Sequence, residues 1–202
     1  MVELYNGLVK LAPLKEKSSL TTSPVLDCSW MIREISTSLT GKKHEVRRYQ
    51  IGNNKGTLVV GGNGRGSDLN QLDVPTYIFV DRQQNVYVSD ENNHRVMKWT
   101  KGATEDIVVA GGHGQGNDLN QLYWPNGLFV DTLGTVYVAD SPNHRVMRWP
   151  KGATHGTVVV GGNGDGHGAN QFKYLGGLSF DSQSNLYVAD NCNHRVQRFS
   201  IQ

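Results

Sequence analysis

Three histidines stand one fixed interval apart: His94, His144 and His194, each in the tripeptide Asn-His-Arg. Imidazoles in a set suggest a zinc centre, which needs ligand nitrogens about 2.0–2.1 Å from one ion. Equivalent positions in successive repeated units are displaced by a whole unit, on the order of 10 Å for packed sheets. These histidines therefore cannot share a metal, and one His per unit is expected to bond or pack within its own hairpin. Three carboxylate–guanidinium pairs recur at the same interval: Asp90 with Arg95, Asp140 with Arg145, and Asp190 with Arg195. A charge-assisted bond at that spacing would pin a tight turn. A catalytic carboxylate would need a nucleophile or a second acid, and neither accompanies them. No Ser/His/Asp triad or Cys/His pair is spaced for nucleophilic catalysis.

The runs GGNGRG, GGHGQG and GGNGDG invite a phosphate-loop reading. Such a loop requires a helix N-terminus after it, usually with Lys-Ser/Thr. Neither follows, so turn glycines are expected. A calcium-binding GGxGxD repeat fails because Gly66, Gly116 and Gly166 occupy its Asp position. The two cysteines, Cys28 and Cys192, lie outside any metal-ligand spacing and read as free thiols. No cofactor and no metal are expected.

These residues are carried by an internal repeat with a period of 50 and no slippage: residues 61–110 and 111–160 are identical at 29 of 50 positions. Each period reads as four short strands. The first is Thr76–Val80, with Asn126–Val130 and Gly176–Phe180 after it, and the second is Val86–Ser89, Val136–Ala139 or Leu186–Ala189. The third runs from Arg95, Arg145 or Arg195 to an aromatic, Trp99, Trp149 or Phe199, and the fourth is Ile107–Ala110 or Thr157–Val160. β-Branched and aromatic runs between Gly, Asn, Asp and Pro are the strand signal. Four antiparallel strands per unit describe a β-propeller blade, which must stack on blades of its own kind. The aromatics at 99, 149 and 199 and the tyrosines at 87, 137 and 187 would fill the space between blades.

The segments VSDENNHRV, VADSPNHRV and VADNCNHRV, preceded by VPTYIFVD and WPNGLFVD, closely resemble the NHL repeat. The resemblance covers residues 44–202. Kelch repeats also run near 50 residues but need a Tyr and Trp downstream of the glycines, and WD repeats need a Trp-Asp ending. The NHL resemblance implies an all-β, six-bladed-class propeller, here incomplete, with about three four-stranded antiparallel blades. It also implies that the face bearing the inter-blade loops (61–75, 111–125, 161–175) and the turns 90–94, 140–144 and 190–194 carries the binding site. On that face the copies differ at Arg65, Gln115 and Asp165 and at Glu91, Ser141 and Asn191. Asn92, His113, His167, Tyr123, Trp124 and Tyr174 complete the expected binding set.

Residues 1–43 show no match to the repeat and read as a separate segment, partly disordered, with a short helix near Val2–Lys10. His44–Tyr49 and Thr57–Val60 align with the third and fourth strands, which leaves about half of a propeller. An open arc, a fragment of a longer polypeptide and a homodimer completing the ring all fit that count. In the dimer, Thr57–Val60 would serve as fourth strand to the other copy's 176–199.

The 202 residues carry a net charge of +2, and residues 44–202 hold fourteen Lys/Arg against fourteen Asp/Glu. That balance counts against a nucleic-acid groove built on bulk basic charge. No run approaches the roughly 18 apolar residues of a membrane helix, and the N-terminus lacks a signal-type apolar core. No membrane association is expected, and a cytoplasmic location is favoured. The expected function is a non-enzymatic scaffold that binds a protein through inter-blade loops. RNA binding is the alternative that the family suggests. So is the substrate-recognition part of a tripartite-motif-type ubiquitin ligase without its RING. An amidating-lyase activity would need a metal-lined closed channel.

Overall fold

The computed structural model describes residues 3–5, 8–10, 35–40, 43–50, 55–101 and 106–201. Alternation of apolar and polar residues around short turns yields sixteen strands among them and three single turns of 3-10 helix. β1 (Glu3–Tyr5) and β2 (Leu8–Lys10) form a two-stranded pair. The helix expected near Val2–Lys10 is thus replaced by a hairpin register, Glu3 opposite Lys10. The intervening sequence is Asn6-Gly7, the pair that most favours a two-residue hairpin loop. The Ser/Thr-rich stretch and the Trp30-Met31-Ile32 patch lie outside the described residues.

The remaining strands form four antiparallel meanders. Blade I is β3 (Ile35–Thr40), β4 (Glu45–Gln50) and β5 (Thr57–Gly61). Blade II is β6 (Pro75–Val80), β7 (Val86–Asp90), β8 (Arg95–Trp99) and β9 (Ile107–Gly111). Blade III is β10 (Pro125–Val130), β11 (Val136–Asp140), β12 (Arg145–Trp149) and β13 (Thr157–Gly161). Blade IV is β14 (Leu175–Phe180), β15 (Asn185–Asp190) and β16 (Arg195–Ser200). The architecture is all-β, propeller-type and incomplete. β3 stands one period before β7, although Ile-Ser-Thr-Ser-Leu-Thr shares none of its apolar pattern. β5 pairs with β4 of its own chain, so Thr57–Val60 serves here as the outermost strand of blade I.

Side chains alternate between the two faces of each sheet, and the buried ones collect at the three blade junctions. Val46, Val60, Leu72, Val88, Met97 and Trp99 fill the I–II junction. Tyr87, Val96, Leu122, Leu128, Met147 and Trp149 fill II–III. Val146, Phe172, Leu178, Leu186 and Val188 fill III–IV, with Tyr137 and Phe199 against them. Phe79, Phe129 and Phe180 continue from blade to blade, the first pair edge-on and the second tilted, with centroids 5.3 and 4.8 Å apart. The innermost strands approach closely: a Cβ on Gly127 would stand 2.2 Å from the Gly176 carbonyl oxygen, so only glycine fits there.

Candidate functional site

In blades II–IV the strand-two/strand-three turn is a 3-10 turn closed by a histidine in left-handed backbone, φ +52° or +53° at His94, His144 and His194, and His44 shares that conformation at φ +51°. His is among the residues that tolerate that region. At this turn the repeated polar residues converge. The Arg145 guanidinium donates through Nε to Asp140 Oδ2 at 2.7 Å and through Nη1 to the Asn117 carbonyl at 2.7 Å. Its Nη2 reaches the carbonyls of Asp118 and Gln121. Asn143 donates to both Asp140 Oδ2 and the Gly116 carbonyl, and the Tyr123 N–H donates to Asp140 Oδ1 at 2.7 Å. The same set recurs around Asp90, Asn93 and Arg95, and around Asp190, Asn193 and Arg195. The Asp–Asn–Arg group therefore staples each inter-blade loop onto the turn that follows it. In blade I the positions hold Thr40 and Glu45, and Glu45 pairs with Arg47 at 2.7 Å instead.

The histidine works across the blade boundary as well as inside its turn. The His94 backbone N–H closes its own turn on the Glu91 carbonyl, while the ring Nδ1 accepts from the Trp124 N–H of blade III at 3.3 Å. His44 Nδ1 does the same with the Val74 N–H at 3.2 Å. The ring bond thus leaves the hairpin to which the sequence assigned it. Burial holds the His94 pKa below the ordinary imidazole range, which keeps Nδ1 neutral and able to accept.

The first glycine of each pair makes the loop possible. Gly161 has φ +82°, and a Cβ there would stand 2.3 Å from the His144 carbonyl oxygen. That carbonyl accepts from the Gly162 N–H at 2.8 Å. These are turn glycines, without a helix behind them.

Gln71, Gln121 and Gln171, visible in the sequence only as half of a repeated Asn-Gln, brace the same loops. Each donates Nε2 to a loop carbonyl, that of Asn63, His113 or Asn163.

Of the residues expected to bind, Arg65, His113, Gln115, Asp165, His167, Trp124, Tyr174 and Asn191 are exposed on the loop face. Arg65 Nε lies 3.0 Å from Asp73 Oδ1, and Asn92 Nδ2 donates to the same oxygen at 3.2 Å. Asp73 is a hub with no counterpart in later repeats, where Tyr123 and Lys173 stand, and it is missed by reading conserved spacing alone. Ser141 is not on a free surface: it is buried, and its hydroxyl donates to the Leu175 carbonyl of blade IV. Tyr123 is half-buried, with its ring 4.9 Å from Trp124 and 5.9 Å from His94 between centroids. Glu91 is half-buried and its pKa is raised by burial alone.

Burial and hydrogen bonds compete at the three aspartates. For Asp90 and Asp140 burial outweighs the bonds from the neighbouring N–H groups, Asn and Arg, and the pKa rises. At Asp190 burial still pushes upward, but the bonds from the Lys173 N–H, Asn193 and Arg195 prevail and the pKa falls. Among the described residues no cluster of three or more His, Cys, Asp or Glu is placed to hold a metal ion. No described helix is long and apolar enough to cross a membrane.

The NHL repeat family matches residues 122–148 and 172–199. No curated protein matches the chain by sequence. Among solved structures it resembles one in a nidogen/laminin complex, at 17% identity and TM-score 0.63, over 84% of this chain and 57% of that one. It also resembles XC5397 from Xanthomonas campestris, a gluconolactonase, at 14% identity and TM-score 0.63, over 86% and 56%. An auxiliary nutrient binding protein from Bacteroides thetaiotaomicron matches at 15% identity and TM-score 0.62, over 83% and 45%. The chain spans about half the length of these structures, and at such identities the likeness concerns the fold alone. Blades III and IV thus carry NHL repeats, set in a fold that is propeller-like.

Proposed function

We propose that this chain is a non-enzymatic module that binds a protein through its inter-blade loop face. The observation that carries the reading is a division of labour within each repeat. Asp, Asn and Arg of the signature are consumed in stapling the loops, whereas Arg65, Gln115 and Asp165, which differ between copies, remain on the surface above them. Trp124 and Tyr174, 44% and 41% exposed, add aromatic area of the kind that anchors protein interfaces.

Charge supports a protein ligand over RNA. With the three Asp–Arg pairs set aside, the loops and turns of this face hold Asp68, Asp73, Glu91, Asp118 and Asp165 against Arg65 and Lys173. A phosphate backbone requires the opposite balance.

Selection from a random dodecapeptide library on the immobilised full chain tests the reading. Selected peptides should lose binding to a Trp124→Ala/Tyr174→Ala variant that melts like the parent. Peptides indifferent to that variant, or salt-sensitive binding of a random-sequence RNA with no peptide selected, would overturn it.

A further inference from the structure

At the II–III junction the loop face joins a carboxylate to an aromatic surface. Glu91 and Trp124 both contact His94: the His94 N–H donates to the Glu91 carbonyl at 3.0 Å, and the Trp124 N–H donates to His94 Nδ1 at 3.3 Å. The Tyr123 ring packs beside both rings, edge-on to His94 at 5.9 Å and 4.9 Å from Trp124 between centroids. Among the described residues no hydrogen bond or ion pair reaches the Glu91 carboxylate, although it is half-buried.

The repeat shows what the position does elsewhere. One period on, the Ser141 hydroxyl donates to the Leu175 carbonyl of the next blade. Glu91 occupies the place of Ser141, and Pro125 that of Leu175. An ionised carboxylate cannot donate to a carbonyl, and the Pro125 carbonyl accepts from the Thr76 hydroxyl at 3.1 Å instead, so Glu91 is left without the contact that Ser141 makes. Aromatic faces beside an unpaired carboxylate attract a cation through the ring quadrupole as well as through charge. The other uncompensated carboxylates of this face add to that field.

Resting on the loop-face reading above, we infer that Glu91, Trp124 and Tyr123 form the seat for one guanidinium or ammonium group, supplied by an Arg or Lys side chain of the bound protein. The cation donates to the Glu91 carboxylate and lies over the exposed indole. Ser141 at the III–IV junction and Asn191 on blade IV lack the carboxylate, so a partner engages the face in one register.

The probe is N-acetyl-arginine amide, with N-acetyl-citrulline amide as its neutral isostere. Each is titrated into the full 15N-labelled chain while the Trp124 indole N–H resonance, assigned with Trp124→Phe, is followed. The arginine probe should shift that resonance at least about tenfold more tightly than citrulline, and Glu91→Gln should erase the difference. Glu91→Asp, which keeps the charge on a shorter stem, should retain part of it. Equal shifts by both probes, no shift with arginine, or an unchanged preference in Glu91→Gln would each overturn the inference. The two readings fail separately. Library peptides that need Trp124 but contain no essential Arg or Lys would refute the cation seat alone. An arginine-dependent shift with no Trp124-dependent peptide would refute protein binding alone.

Discussion

The Trp124 N–H donates to His94 Nδ1 at 3.3 Å across a blade boundary, and the equivalent pair one period later does not form. Among the described residues His144 Nδ1 is buried without a partner. The difference lies in the residue that follows the donor. Val74 and Trp124 each precede a proline and have left-handed backbone, φ +52° and +43°, which aims the N–H at the histidine ring. Tyr174 precedes Leu175 and does not share that conformation.

The two histidines therefore differ in value to the fold. His94→Asn keeps a residue that accepts left-handed backbone but loses the inter-blade bond, at a cost of about 1 kcal/mol. His144→Asn removes an unsatisfied nitrogen and is expected within about 0.5 kcal/mol of the parent. Urea midpoints at pH 7.5 compare them. Because the folded-state pKa of His94 lies below its unfolded value, the parent loses stability as pH falls from near 6.5 toward that depressed pKa. In His94→Asn this part of the pH dependence should vanish.

The staples should differ by position in the arc. Asp140 is fully buried and Arg145 nearly so, with 7% of its side chain exposed, whereas Arg195 at the last blade is 30% exposed. Asp140→Asn leaves a buried guanidinium uncompensated and should cost about 3 kcal/mol. Asp190→Asn leaves one that water can reach, and about 1 kcal/mol is expected. Chemical denaturation of the two variants decides the order.

Legibility followed chemistry. The strands of blades II–IV could be read because Val, Tyr, Trp and Phe alternate between turn residues, and that alternation is the signature of packing on both faces. β3 could not be read so, since Ser36 and Ser38 stand where Val86 and Val88 stand in blade II; only its register, one period upstream, marks it. The Asp–Arg contact was legible from spacing alone, whereas the direction of the His94 ring was not. A ring bond to the next blade depends on the backbone conformation at Trp124, which residue identity does not announce. Ser141 was misplaced for a similar reason: a serine on a turn reads as solvated until the next blade is set against it.

Asp106 carries a prediction of opposite sign to an ordinary surface carboxylate. It is buried at the start of β9, and burial pushes its pKa up to about 6, against a smaller opposing effect of its hydrogen bond to Trp99. Its equivalents are Gly56 and Gly156, which lie against the rings of Tyr49 and Trp149. A carboxyl whose folded pKa is raised loses stability as pH rises from near 4 through about 6. Asp106→Asn should raise stability at pH 7.5 by about 1 kcal/mol, after discounting for residual solvent access, and have little effect at pH 4. Melting curves at both pH values check the sign.

One valine reports on the far end of the arc. Val46, Val96 and Val146 are 0% exposed at the three junctions, while their equivalent Val196 is 66% exposed on a blade with no described fourth strand. An exposed apolar face beside an unpaired strand edge is a pairing hazard unless something covers it. Val146→Ala should cost about 2 kcal/mol, as a buried truncation does. If the face is open in solution, Val196→Ala should cost less than about 0.5 kcal/mol. A cost at Val196 approaching that at Val146 would mean the face is covered. Light scattering over a concentration series then identifies the cover: a doubled mass that reverts with Val196→Asp assigns it to a second copy. A single-chain mass with the same cost at Val196 assigns it to residues of this chain. The comparison works because one side chain, at one place in the repeat, is measured with and without a neighbouring blade.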